Sequence, residues 1–402
     1  MINVAILGFG VVGSGVAEVL QSNAKVIEKT LSTQLAVKRI LDLRDFPDSP
    51  FGHPITHDFN DILNDPTITV VAEMMGGSHP AYDFTKACLQ AGKSVVTSNK
   101  EVVARFGAEL LELAAQNGAR YLFEASVGGG IPIIRPMVND LASNKILSVS
   151  GILNGTTNYI LTQMLEHGAA YADALAEAQQ KGYAERNPAA DVEGLDAARK
   201  IVILAALAFG PLLSPDSIHC EGITQITAED AAFAADNGYA VKLIGYTELL
   251  GGKVLAMVTP RLVPISNPLA GVCDVFNGIL VDANMLGECM FYGKGAGKLP
   301  TASAVVADMM DIATHLGTAV RAPKFSVAAD DDYADFGAYR CRTMLAFEDK
   351  KEIYEKAERV FGELPMLSHG RAVLVSAEMS EAELDERISQ MGVTPLSRIR
   401  LL

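Results

Sequence analysis

At 402 residues the chain is too long for a single hydrophobic core, and two or three domains are expected. Apolar residues make up 49% and charged ones 20%, as in ordinary globular proteins, and a net charge of −15 argues against nucleic acid or an anionic membrane surface as a partner. No apolar run approaches a membrane span, the start Met1-Ile2-Asn3-Val4 has no basic flank or cleavage motif, and the five scattered cysteines form no CxxC pair. Together these features predict a cytoplasmic protein with neither structural zinc nor a disulfide framework.

Ile2 to Leu7 reads as a strand, followed by a helix from about residue 13 to 29. Further strands are expected at 35–43, 70–75, 94–97 and 120–124, with helices at 81–91 and 102–117 between them. Short apolar strands alternating with helices predict an α/β fold whose parallel sheet is covered on both faces. From about residue 131 the texture becomes mixed α+β. A strand at 146–153 precedes helices at 157–166, 171–181 and 191–209, then strands at 240–249, 254–262, 278–284 and 288–292, and a helix at 302–316. Asp330-Asp331-Asp332-Tyr333 is a polar break. The tail beyond it reads strand (339–347), helix (351–361), strand (364–368), strand (372–377), helix (381–391), strand (397–401), a small βαββαβ unit of ferredoxin-like order. The expected domains are therefore 1–130, completed by a returning helix at about 302–325, then 131–301, then 333–402.

The first strand runs directly into Gly8-Phe9-Gly10-Val11-Val12-Gly13. In a Rossmann-type doubly wound sheet such a loop turns tightly at its first glycine, admits a pyrophosphate at the second, and packs helix on strand at the third. After the second strand come Asp42, Arg44 and Asp45. Asp42 would suit the ribose 2′-hydroxyl of NAD, while Arg44 favours the 2′-phosphate of NADP, and the reading leans to NADP. Ser98-Asn99-Lys100-Glu101 sits beyond a strand's carboxyl end, where ligands bind, so Lys100 is a candidate to meet cofactor or substrate; a solvent-facing lysine is the competing reading. Gly76 to Pro80 lines the same crevice, with His79 read as structural. Glu124 opens the glycine-rich loop through Val127, Gly129 and Ile131, an oxygen-rich stretch that would suit a hard cation or serve merely as a turn. Glu185 lies in a loop, Asp191 is an N-cap candidate, and Asp196 and Lys200, four apart, share one helix face. A lysine entering an apolar helix beside a carboxylate could protonate a carbonyl oxygen; an ordinary surface pair is the plainer alternative.

Six separated stretches resemble homoserine dehydrogenases: GFGVVGSGV (8–16), TSNKE (97–101), FEASVGGGIPIIRP (123–136), GILNGTTNYIL (151–161), GYAERNPAADVEGLDAARK (182–200) and YGKGAGKLPTASAV (292–305). The resemblance covers roughly residues 1–325. It implies NAD(P)H-dependent reduction of L-aspartate 4-semialdehyde to L-homoserine, the branch step toward threonine, isoleucine and methionine. It implies Lys200 as proton donor, Lys100 near the nicotinamide, and Glu185 and Asp196 as substrate ligands, with Asn154, Gly155, Thr156 and Thr157 close by. It places Gly8 to Gly13, Gly182 and Gly297 at cofactor-contact positions, and Glu124, Val127, Gly129 and Ile131 at a monovalent-cation site, usually sodium. A homodimer formed through the second domain, or a homotetramer, is implied as well. Asn187 stands where many relatives carry aspartate. The tail resembles an ACT-type regulatory domain in element order, although Glu348-Asp349-Lys350-Lys351 replaces the usual turn before its first helix. Two rival readings are a reductase of another amino-acid intermediate, such as an aspartate dehydrogenase, and a nucleotide-sensing regulator. The joint presence of Lys100, Glu185, Asp196 and Lys200 argues against the regulator.

Overall fold

A computed structural model describes residues 1–50, 54–318 and 322–402. Two compact units emerge: residues 1–145, 202–214 and 291–328 form the first, and residues 146–201, 215–290 and 329–402 the second.

The first unit is built on six strands: β1 (Ile2–Leu7), β2 (Leu35–Leu41), β3 (Ile55–Thr56), β4 (Ile68–Glu73), β5 (Ser94–Thr97) and β6 (Tyr121–Leu122). All pair parallel in the order β3-β2-β1-β4-β5-β6, a doubly wound sheet whose strand order reverses between β1 and β4. Apolar side chains of β1 and β4 pack on Val16, Ala17 and Leu20 of the helix Val11–Ser22, and on Ala302, Val305, Met309 and Ile312 of the helix Lys298–Thr314. That second helix ends at Thr314, short of the expected 325, and residues 319–321 of the expected span lie outside the described residues. The helix expected over 13–29 is two helices, Val11–Ser22 and Ala24–Leu31. Asn23 separates them with its backbone out of the helical range.

The second unit carries β7 (Ile146–Ile152), β8 (Tyr239–Leu250), β9 (Lys253–Pro264), β10 (Phe276–Ala283) and the first half of β11 (Gly287–Lys294). Its tail contributes β12 (Thr343–Glu348), β13 (Met366–Ser368), β14 (Arg371–Val375) and β15 (Ser397–Leu401). The tail strands lie antiparallel in the order β15-β12-β14-β13, the ferredoxin-like 4-1-3-2 arrangement. They form no separate sheet: Arg400 and Leu401 of β15 pair parallel with Arg261 and Leu262 of β9, giving one sheet that runs β11-β10-β7-β8-β9-β15-β12-β14-β13.

The helix expected over 191–209 is interrupted. A short turn Ala189–Val192 precedes the long helix Leu195–Phe209, and Gly194 at φ +84° makes the break. A Cβ there would stand 3.0 Å from Cys220 Sγ and 3.1 Å from Val258, so the helix begins where its backbone presses on β9. Asp191 consequently sits inside the short turn and is not the N-cap of the long helix.

Candidate active site

In the first unit, the glycine loop divides its roles as its spacing predicts. Gly8 adopts φ +91°, and a Cβ on Gly13 would lie 2.0 Å from the Gly8 carbonyl oxygen, so both positions require glycine. A Cβ on Gly10 would meet nothing within 4 Å. Gly10 caps the helix Val11–Ser22 without a side chain, and the open space lies before a helix N-terminus whose N–H groups suit a pyrophosphate. Val11, largely exposed, and Val12, packed into the core, open that helix. An open groove of about 1010 Å³ continues outward past Phe9, Ser14, Arg44, Phe46 and Lys298.

Asp42 follows β2 directly. One of its oxygens accepts the Phe9 N–H at 2.8 Å, and Arg44 folds back so that Nε and Nη2 reach the two oxygens at 3.0 and 3.1 Å. The guanidinium holds the Asp42 carboxyl down at about 2, against the opposing pull of burial. The Arg44 side chain is 64% exposed and lies 5.0 Å from the centre of the Phe46 ring.

Lys100 begins the helix Lys100–Gln116, with Asn99 as N-cap accepting the Val102 N–H at 3.2 Å. Gly297, at φ +120°, caps the helix Lys298–Thr314. The carboxylate of Glu124 is buried and fully engaged, accepting the N–H groups of Ile133, Ile134 and Arg135 at 2.6–2.8 Å. Nearby, Arg135 meets Asp308 at 2.6 Å and Asp308 accepts the Glu124 N–H, while burial raises the Asp308 carboxyl to about 7. Gly129 presses against Gly295, where a Cβ would stand 2.5 Å from the carbonyl oxygen.

In the second unit, Lys200 is 7% exposed on the helix Leu195–Phe209. It donates to Asp196 at 2.7 Å and to the Leu153 carbonyl at 2.6 Å. The pair expected on one helix face is therefore buried and aimed at the end of β7. Asn154 joins it, donating to Asp196 at 2.9 Å and to Asp191 at 2.7 Å while capping the helix Gly155–His167 through Thr157 N–H. Thr156 donates to the Tyr183 carbonyl at 2.7 Å, and Gly155 backs onto the Val275 carbonyl, 2.7 Å from a would-be Cβ. Lys200, Asp196, Asn154 and Thr157 are thus brought into one hydrogen-bonded cluster. Glu185 is not in it: its exposed side chain bonds none of these groups, and its carbonyl accepts from Gln179. Gly182, φ +75°, follows the helix Tyr171–Gln180 in this unit. The cluster also recruits Asp191, whose carboxylate accepts from Asn154 where its position predicts a helix cap. Its local sequence carries no signal of this, since the contact that recruits it comes from Asn154, 37 residues away.

A doubly wound sheet with a glycine loop opening onto a helix N-terminus, in a chain that also buries a lysine–carboxylate–asparagine cluster, defines a nicotinamide-dinucleotide-dependent oxidoreductase of carbonyl chemistry. Comparisons narrow this further. The family description "Homoserine dehydrogenase, NAD binding domain" matches residues 8–124, and "Homoserine dehydrogenase" matches 132–310. The homoserine dehydrogenase of Synechocystis is 44% identical over 77% of this chain and 73% of its own length, and that of Bacillus subtilis 36% over 97% and 95%. Among solved structures, a homoserine dehydrogenase from Thiobacillus denitrificans superposes with a TM-score of 0.93 at 34% identity, covering 100% of this chain and 98% of that one. An archaeal homoserine dehydrogenase in complex with NADPH gives 0.66 at 28%, covering 77% and 97%. The chain belongs to the homoserine dehydrogenase family and is an NAD(P)-dependent oxidoreductase interconverting aspartate 4-semialdehyde and homoserine.

Proposed function

We propose that Lys200 is the proton donor in the reduction of L-aspartate 4-semialdehyde. The observation that carries this reading is the buried ammonium held by two fixed acceptors, Asp196 and the Leu153 carbonyl. Asp196 and the Leu153 carbonyl hold that ammonium in a fixed direction, so that its proton can be aimed at the oxygen of the aldehyde. A nicotinamide dinucleotide held at the glycine loop would supply the hydride chemistry at the aldehyde carbon. Asn154, Asp191 and Asp196 would take the polar end of the amino-acid substrate, Gly155, Thr156 and Thr157 shape the same wall, and Glu185 would join from its loop. Lys100, opening its helix beside the switch point, would lie near the nicotinamide, with Gly8 to Gly13, Gly182 and Gly297 as further cofactor contacts.

The preferred cofactor is NADP. Asp42 is 9% exposed and engaged by Phe9 N–H and Arg44, whereas Arg44, though paired to Asp42 through Nε and Nη2, is 64% exposed and offers its charge to a 2′-phosphate. A monovalent cation, sodium by preference, fits the loop after Glu124 through carbonyl oxygens: those of Val127, Gly129 and Ile131 accept no hydrogen bond among the described residues. The Glu124 carboxylate, spent on three N–H groups, would act through its backbone only. We read the tail as an ACT-like module, the protein as a cytoplasmic homodimer or homotetramer, and its place as threonine, isoleucine and methionine biosynthesis.

Lys200→Met tests the central assignment. Homoserine-dependent reduction of NADP+ should fall by about 10²–10⁴-fold, while NADPH binding, followed by fluorescence, stays close to wild type. Turnover near the wild-type rate would refute the role.

A further inference from the structure

At the end of β4, beside the switch point of the first unit's sheet, stands a side chain that none of these roles uses. Glu73 is completely buried, in register with Leu7 of β1 on one side and Thr97 of β5 on the other. One carboxylate oxygen accepts the Met75 N–H at 2.6 Å and the other accepts the Thr97 hydroxyl at 2.7 Å. The Thr97 oxygen in turn accepts the Asn99 N–H at 2.9 Å. Asn99 closes the circuit, donating to the carbonyls of Gly77 at 2.8 Å and Met75 at 3.3 Å while capping the helix that Lys100 begins. The loop after β4 is also pressed onto the glycine turn, since a Cβ on Gly8 would lie 3.1 Å from the Met74 carbonyl oxygen.

We propose that Glu73 is a positioning residue for the dehydrogenase reaction, its ionised carboxylate locking the loops after β4 and β5 together and so fixing where Lys100 stands. The inference rests on Lys100 and these loops serving the nicotinamide end of the cofactor, as read above. Both Glu73 oxygens face donors, one the Met75 N–H and the other the Thr97 hydroxyl, whose own oxygen already receives the Asn99 N–H. A carboxylate satisfies both, whereas a proton on either oxygen would stand against a donor and weaken one of the two contacts. The groups facing Glu73 among the described residues are Thr97 from β5, Asn99 and the Met75 N–H from the two loops, and the buried Tyr121 hydroxyl from β6, which has no hydrogen-bond partner among them. None of them is a cation, and burial lifts the carboxyl to about 7, so the lock loosens as pH falls through neutrality.

The test uses the full chain carrying Glu73→Gln, Thr97→Val or Thr97→Ser. It follows homoserine-driven NADP+ reduction against pH, NADPH binding, and thermal unfolding. Expected for Glu73→Gln and Thr97→Val is a fall in kcat of roughly 10- to 100-fold with little change in the homoserine KM. Glu73→Gln should also lose the acid limb near neutrality, and Thr97→Ser should recover most of the rate. Lowered melting temperatures with kcat and pH profile left as in the wild type would overturn the proposal, as would an acid limb that survives in Glu73→Gln. Should Lys200→Met stay active, the proton-donor assignment falls while these comparisons, made against the wild type, still decide the role of Glu73.

Discussion

Asp42 serves two partners, steadying the glycine loop through Phe9 N–H and holding Arg44 in place. Arg44→Ala should therefore weaken NADP+ far more than NAD+. A loss in kcat/KM of roughly ten- to a hundredfold for NADP+, the worth of a charge-assisted contact, with NAD+ nearly unaffected, is the expected outcome in parallel steady-state assays. Equal losses with both cofactors would remove Arg44 from phosphate recognition. Glu73 makes a prediction about stability. Its carboxyl titrates at about 7 in the folded chain, raised by burial from an ordinary 4.5. Between those values the folded state binds the extra proton, so the unfolding free energy falls as pH rises from 4.5 to 7, by at most about 1.4 kcal/mol per pH unit. Urea titrations across that window should show a shallower decline in Glu73→Gln, with the similarly raised Asp308 supplying what remains. A variant that keeps the full wild-type slope would exclude Glu73 as a source.

Among elements, the glycine turn offers a matched pair of substitutions. Gly13→Ala drives a methyl into the Gly8 carbonyl and should cost about 1–3 kcal/mol or more through overpacking, whereas Gly10→Ala meets open space and should fold normally. Melting temperatures should separate the two, while NADPH titration should show Gly10→Ala weakened because its methyl occupies the pyrophosphate approach. Normal NADPH affinity in Gly10→Ala would count against that placement. This turn was legible in the sequence because its constraints are local, three glycines at fixed spacing after an apolar strand. The helix Ala228–Asp236 was not read there, since its alanine-rich stretch has little apolar periodicity. Its one sequence signal was Thr227 three residues before Asp230, which form a capping box. The break at Gly194 was equally hidden, because its cause is the approach of Cys220 and Val258, far away in sequence. Lys200 and Asp196 could be paired from their spacing, but their burial and the Asn154 bridge to Asp191 depend on contacts about 40 residues apart in the chain. Glu73 falls inside the strand expected over 70–75, and its link to Thr97 comes from a neighbouring strand 24 residues away.

At the scale of the whole molecule, the junction within the second unit is charged and buried. Arg400, 1% exposed, reaches both oxygens of Glu381 at 2.7 and 3.0 Å and Glu221 at 2.8 Å. Arg261, wholly buried on the neighbouring strand, donates to the Tyr339 hydroxyl at 2.8 Å. Removing one member of such a buried set strands the others, so Arg400→Met should destabilise the fold by about 3–5 kcal/mol in denaturant titration. A loss below about 1 kcal/mol would show that the junction contributes little. The same junction makes excision of the tail disruptive, because deletion would uncover Arg261 and strip β15 from one edge of β9, which would keep its pairing with β8. Backbone pairing of β15 with β9 has a thermodynamic corollary. Calorimetry should find the tail and the lysine-bearing half melting in one shared endotherm, and any small molecule that binds the tail should raise the heat resistance of the Lys200 cluster along with it.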